Sequence, residues 1–334
     1  MDQKQLARLE GLVLKAAEDF FRQQGFTPLF PPKIVRASGA CENINTLFEV
    51  NVDQDSRWFD RPAYLSQTGQ LYLEAMVPAL EKVYCLGPSF RAEPRVDTRH
   101  LTEFTMLEIE FAGNFEKLLS YIESLVHHVA QKVAQYPDAE KNLGLKNDDL
   151  SRLAQCPAQF ARYTYDQAIS KLQELGQEIN WGDDISSQRE KLLLATTDRQ
   201  PLFITHYPDP MHPDGQGIEV EKFFNMLPAA DRPGRVLSAD LILPFAGESV
   251  GAAARVHKLE ELISRLKNSK MYQRLLDKGG DISDFNWYIE QIKTNGAVPH
   301  AGCGFGMSRI MQYISGQNDI TKAVTFPANR STLI

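Results

Sequence analysis

Phe90 to Glu110 reads FRAEPRVDTRHLTEFTMLEIE, and this stretch decides how the rest of the chain is read. Two runs rich in β-formers, Tyr84–Phe90 and Phe104–Glu110, flank a polar loop that carries Arg91, Glu93, Arg95, Arg99 and His100. The pattern predicts an antiparallel hairpin whose first strand runs out into a cation and whose loop adds more. Guanidinium forks bind phosphate oxygens in pairs, so such a hairpin suits a polyphosphate lying across a sheet. A solvated ladder of surface ion pairs is the competing reading of the same charges.

A second stretch, Pro299 to Tyr313, reads PHAGCGFGMSRIMQY. It predicts a strand with glycines at 302, 304 and 306, then a helix from Ser308 bearing Arg309. Glycines alternating in a strand let a flat ligand or another backbone come close, because no Cβ stands in the way. The spacing is neither the G-x-G-x-x-G of a dinucleotide fold nor a G-x-x-x-x-G-K-[ST] phosphate loop, which sets aside both of those sources of nucleotide binding.

Together the two stretches resemble motifs 2 and 3 of the class II aminoacyl-tRNA synthetases, FRAE…RHLTEF as motif 2 and GFGMSR as motif 3. GFTPLFPP at Gly25–Pro32 resembles motif 1 and follows a helix expected over about Gln3–Gln23. Further stretches that resemble the asparaginyl-tRNA synthetase catalytic domain are CENINTLFEV, PAYLSQTGQLYLEAM, WGDD, PLFITHYP and ADLILPFAGESVGAAAR. The resemblance covers nearly the whole chain. It implies an α/β (α+β) fold, an antiparallel sheet flanked by helices, as one catalytic domain over residues 1–334, with 136–161 a small insertion or loop within it.

The resemblance also implies roles. Arg91 would grip the α-phosphate of ATP, with Glu93, Arg99 and His100 on the adenine edge or the outer phosphates. Phe104 and Arg309 would sandwich the purine, which stacking and cation–π attraction both favour. Asp240 and Glu248 match the family's magnesium ligands. Glu42 and Gln70 would hold the amino acid's α-ammonium, and Arg255 its side-chain carbonyl. Leu73 stands where aspartyl enzymes carry lysine, and Glu108 where they carry aspartate, so asparagine is the expected amino acid. The implied activity is AMP-forming activation of asparagine or a close relative as an aminoacyl adenylate, with ATP and Mg2+, and transfer to a non-standard acceptor.

Asparaginyl and aspartyl enzymes of this kind carry an anticodon-binding module before the catalytic domain, whereas this sequence starts on the helix leading into motif 1. No anticodon recognition is therefore expected, and the acceptor is left open among ammonia, a small amine, a protein and tRNA. Two other readings stand beside this one: an asparagine synthetase that activates the β-carboxyl of aspartate for ammonia, and a non-catalytic regulatory paralogue. A homodimer built on motif 1 is expected, with Leu6, Leu9, Val13 and Ala16 forming an apolar face.

Composition fits an ordinary enzyme. The 334 residues are 43% hydrophobic and 24% charged, with 36 Lys+Arg against 43 Asp+Glu and a formal net charge of −7. The surplus of acid gives no global pull toward nucleic acid. The polar start MDQKQLARLE and the lack of a long apolar run predict neither signal peptide nor membrane span, hence a cytoplasmic protein. Cys41, Cys85, Cys156 and Cys303 show no C-x-x-C spacing and read as reduced thiols. Phe115–Gln135 predicts a helix whose adjacent His127 and His128 face apart. Phe203–Tyr207 predicts a buried strand. Residues 209–221 predict a Pro/Gly-rich loop longer than the family usually carries there. Leu259–Lys278 predicts one exposed helix, with a further helix over about Ser283–Thr294.

Overall fold

The computed structural model describes residues 1–36, 46–52, 58–59, 62–94, 96–220 and 222–332. In chain order its regular elements are α1 (Gln3–Gln23), β1 (Thr27–Pro28), β2 (Ile34–Val35), β3 (Tyr64–Leu65), α2 (Gln70–Leu80), β4 (Lys82–Phe90), β5 (Glu103–Ala112) and α3 (Phe115–Ala134). Then come α4 (Ala139–Leu143), α5 (Asn147–Ala154), β6 (Ala161–Thr164), α6 (Tyr165–Glu174), α7 (Ser187–Ala195), β7 (Leu202–Thr205), β8 (Ser238–Leu243) and β9 (Gly247–Ala254). The last are α8 (Leu259–Lys267), α9 (Lys270–Asp277), α10 (Asn286–Asn295), β10 (His300–Gly306) and α11 (Met307–Ser315).

Eight strands form one sheet in the order β1-β4-β5-β10-β9-β8-β7-β6, parallel only at its two edges, β1 with β4 and β6 with β7. The hairpin read from the sequence is the β4–β5 pair, with Cys85 opposite Glu108 and Ser89 opposite Phe104. This mixed α/β architecture, a wide antiparallel sheet flanked by helices, is the expected fold class.

Period-2 alternation along β5 assigns its two faces. Leu107, Ile109 and Phe111 are buried in the main core with α1 and α3. Phe104, Met106, Glu108 and Glu110 line a cavity on the other face. The core face explains α1: Leu9, Val13 and Phe21 are fully buried, each worth roughly 1.5–3 kcal/mol relative to water. Asp2 and Gln5 close a reciprocal capping box at its start.

Two expectations need correction. The apolar face of Leu6, Leu9, Val13 and Ala16 is spent inside the subunit, packed in the main core, and is not a surface for a second copy. An exposed apolar residue within motif 1 is Phe30, 91% exposed. Residues 259–278 are not one exposed helix but two, α8 and α9. Ser269 ends the first by donating to the Leu266 carbonyl, and it caps the second by accepting from the Tyr272 N–H. Leu262, Arg265, Leu266 and Leu275 of this pair are buried. Gly302 and Gly304 of β10 make room for side chains of β5, and Gly304 and Gly306 line the same cavity as Glu108 and Glu110. A Cβ at Gly302 would overlap the Glu110 carboxyl, and one at Gly304 the end of Met106.

Residues 136–161 hold α4 and α5, and Leu143, Leu145, Leu153 and Phe160 join the main core. The described cysteines, Cys85, Cys156 and Cys303, are buried free thiols; Cys41 lies outside the described residues. Among the described residues no helix is long and apolar enough to cross a membrane.

Candidate active site

A cavity of about 600 Å³ opens on the face of the sheet opposite α1 and α3. Gln70, Leu73, Arg91, Glu93, Arg99, His100, Phe104, Glu108, Asp240, Glu248, Arg255 and Arg309 all line it. Residues far apart in sequence thus converge on one space. Glu42 and Arg95 lie outside the described residues.

At one end are the cations of the β4–β5 hairpin and α11. Arg91 follows β4 directly and stands 5.3 Å from the centre of the Phe104 ring. Arg309 is held by carbonyls: Nη1 donates to Ala246 and Glu248, Nη2 to Arg99, each at 2.9 Å. It therefore ties the β8–β9 turn to the motif 2 loop. Arg99 pairs with Glu190 of α7 at 3.3 Å. Burial pushes the Glu190 carboxyl up, with Arg99 and Arg309 opposing. The loop itself is shaped by Asp97, which accepts the N–H groups of Arg99 and His100 and faces the His100 ring at 2.8 Å.

Beside these cations lie two carboxylates on neighbouring strands, Asp240 of β8 and Glu248 of β9. The nearby Asp240 charge, and then burial, push the Glu248 carboxyl up to about 8, against the pull of Lys222. Lys222 reaches Asp240 at 2.6 Å while its ammonium sits 3.8 Å from the Tyr207 ring centre. Two buried acids that repel one another are short of positive charge, and hard oxygen donors suit magnesium. The residues fit a divalent cation on that chemistry.

At the other end the charges are answered within the protein. Glu108 accepts from the Thr68 hydroxyl, from the Gly69 N–H at 2.8 Å and from the Cys85 thiol at 3.5 Å. Gln70 donates to Glu74 at 2.7 Å, one turn along α2. Leu73, fully buried, packs with Val77, Val83 and Cys85. Arg255 donates through Nε and Nη2 to one oxygen of Glu110, at 3.1 and 2.6 Å, and lies 3.8 Å from Glu74.

Glu74 gathers further donors: Asn225 at 2.8 Å, the Tyr288 hydroxyl at 2.5 Å and, more loosely, His300 at 3.4 Å. Burial would raise Glu74, but His300 and Arg255 hold it below the usual carboxylate range. Burial pushes Glu110 up to about 7, with Glu74 adding to the rise and Arg255 opposing it. Glu74, Glu110 and His300 come close enough to suggest a metal site, their ligand atoms within 4.8 Å of one another. Arg255 already stands against them as the cation.

Glu74, Glu110, Lys222 and Glu190 are the residues that sequence reading missed. Periodicity could have found the first two. Glu74 is four residues after Gln70 on a helix, and Glu110 two after Glu108 on a strand, so each shares a face with a residue already singled out. Lys222 and Glu190 carry no such signal.

Residues 2–330 match the family described as tRNA synthetases class II (D, K and N). The asparagine–tRNA ligase of Thermococcus gammatolerans is 34% identical over 330 residues, 98% of this chain and 70% of that protein. Among solved structures, asparaginyl-tRNA synthetase from Pyrococcus horikoshii complexed with asparaginyl-adenylate superposes with a TM-score of 0.82 at 32% identity, covering 99% of this chain and 70% of that one. The asparaginyl-tRNA synthetase of Entamoeba histolytica, also in complex with asparaginyl-adenylate, gives 0.80 at 29% identity, covering 99% and 68%.

Proposed function

The chain belongs to the class II tRNA synthetases of the D, K and N group, AMP-forming ligases, and on that premise we propose that it activates asparagine with ATP as an aminoacyl adenylate and passes it to an acceptor other than tRNA. The observation that carries the reading is the convergence of hairpin cations, paired acids and amino-acid-pocket residues on one cavity. In it, Arg91 meets the α-phosphate, where negative charge develops as pyrophosphate leaves. Arg309 and Phe104 take the purine, and Glu93, Arg99 and His100 flank the adenine edge or the outer phosphates. Asp240 and Glu248 would hold Mg2+, which when bound neutralises phosphate charge.

Gln70 and Glu42 receive the α-ammonium. Leu73 supplies no countercharge, and Glu108 accepts from an amide N–H but repels a carboxylate. Burying an uncompensated charge costs several kcal/mol, which favours asparagine over aspartate. The acceptor in this reading is a small amine or a carrier. Its support is the long loop at 209–220, which walls a second cavity of about 510 Å³ that shares Lys222 and Phe223 with the first. A homodimer through motif 1 is part of the proposal, seated on exposed Phe30.

Pyrophosphate exchange across all amino acids, followed by product mass spectrometry with ammonia, small amines and total tRNA, tests it. Exchange with asparagine, and no aminoacylated tRNA, is expected. Ammonia-dependent release of AMP and asparagine from aspartate would replace the reading with that of an asparagine synthetase. Exchange with no amino acid would leave a non-catalytic role.

A further inference from the structure

We propose that the buried carboxylate pair Glu74–Glu110, behind Arg255, sets the choice of an amide over a carboxylate side chain in the amino-acid pocket. The inference rests on the reading of that pocket given above, and it names residues that this reading did not use.

The charge of Arg255 is already committed within the protein. A guanidinium is the group that would ordinarily welcome a substrate β-carboxylate. Here Nε and Nη2 of Arg255 are both spent on one oxygen of Glu110, and Glu74 stands 3.8 Å away. Both acids are 1% exposed as side chains, and Arg255 is 4% exposed, so water screens little of this. Glu74 is fixed in place by Gln70, Asn225 and Tyr288 and cannot swing away without abandoning three hydrogen bonds. The other Glu110 oxygen is buried without a hydrogen-bond partner, so this side offers an incoming anion no further donor.

A β-carboxylate entering against Arg255 would join Glu74 and Glu110 around one arginine. Like charges so placed repel one another. An amide adds no charge. The pair therefore lets Arg255 donate toward a neutral carbonyl while denying it to an anion. Glu74, which does not line the cavity, acts through Arg255 as a positioning residue, and Glu110 lines the cavity beside it.

The test is pyrophosphate exchange with asparagine and with aspartate, on the wild type and on Glu74→Gln, with ATP binding followed by thermal shift. Glu74→Gln keeps shape while removing one charge: its amide oxygen can still accept from Gln70 and Asn225, and its amide NH2 can donate to the Tyr288 hydroxyl. It is expected to raise the aspartate-to-asparagine ratio of kcat/KM by about tenfold, chiefly through a lower KM for aspartate, with ATP binding retained. Tyr288→Phe removes one donor to Glu74 and no charge, and it is expected to leave the ratio within about twofold. Glu110→Gln is expected to move the ratio in the same direction as Glu74→Gln. If both glutamine variants bind ATP and keep the wild-type ratio, the inference is overturned and the parent reading stands. If Tyr288→Phe shifts the ratio as far as Glu74→Gln, packing rather than charge governs and the inference is again overturned. A wild type that prefers aspartate sinks the parent reading and this one together.

Discussion

The two ends of the cavity treat charge in opposite ways. At the acidic corner of the nucleotide end, Asp240 and Glu248 face each other closely enough that one raises the other to about 8, and Lys222 and, less, Arg309 partly answer them. At the amino-acid end, Glu108 takes three donors, Glu74 several, and Arg255 is committed to Glu110. One end holds a charge imbalance that an incoming cation relieves. The other is close to balanced, so an incoming charge disturbs it. A ligand that is polyanionic with its metal at one end and neutral in its side chain at the other matches both.

The contrast is broken most easily at the nucleotide end. Arg91→Ala removes the cation that meets charge developing on the α-phosphate, at a cost of about 3 kcal/mol in the barrier, and pyrophosphate exchange is expected to fall a hundredfold or more. Arg309→Ala, which loses the purine contact and the tie between the β8–β9 turn and the motif 2 loop, is expected to lower exchange as well. An exchange rate near wild type for Arg91→Ala would show that the charged end does not serve the phosphates.

Next in size is Asp240→Asn. It removes the charge that raises Glu248 and leaves Lys222 without its acid, so Mg2+ affinity, measured by calorimetry on the ATP-free protein, is expected to weaken about tenfold or more. Unchanged affinity would place the ion elsewhere.

Leu73→Lys sharpens the other half. A lysine beside Glu108 supplies the countercharge that the pocket lacks and should move exchange from asparagine toward aspartate by about tenfold. No change would mean that position 73 does not face the side chain.

The smallest expected effect is a pH dependence. Glu110 sits at about 7 in the folded protein against an ordinary value of 4.5. The folded state therefore holds this proton more tightly than the unfolded chain. Its contribution to stability is present below about 4.5 and is lost as pH rises toward about 7. Relative to wild type, Glu110→Gln should thus gain a few degrees in Tm between pH 5 and pH 7.5. A constant difference across that window would mean that Glu110 is not held out of its ordinary range.

Much of this was legible in the sequence because it is periodic or local. Alternation from Phe104 to Glu110 puts the functional face of β5 on one side, and a glycine-rich strand running into a helix places Arg309. The separation of helix and strand around those motifs follows from the same patterns. What stayed hidden is tertiary. Lys222 follows a Pro/Gly-rich loop with no period to mark it, and its partner Asp240 is 18 residues on. Arg255 and Glu110 are 145 residues apart, so nothing local says that the arginine is committed. The break between α8 and α9 rests on one serine that bonds both ways, which no periodicity in the sequence marks.

Gly302 carries a consequence of its own. Its missing side chain is where the Glu110 carboxyl lies, directly opposite in the β5–β10 register. A single methyl group there, uncharged and touching no substrate, would evict the carboxylate from Arg255 and hand the arginine back to the pocket. Steric emptiness at one backbone position thus acts as an electrostatic setting, and the chain can be retuned at this point without gaining or losing any charge.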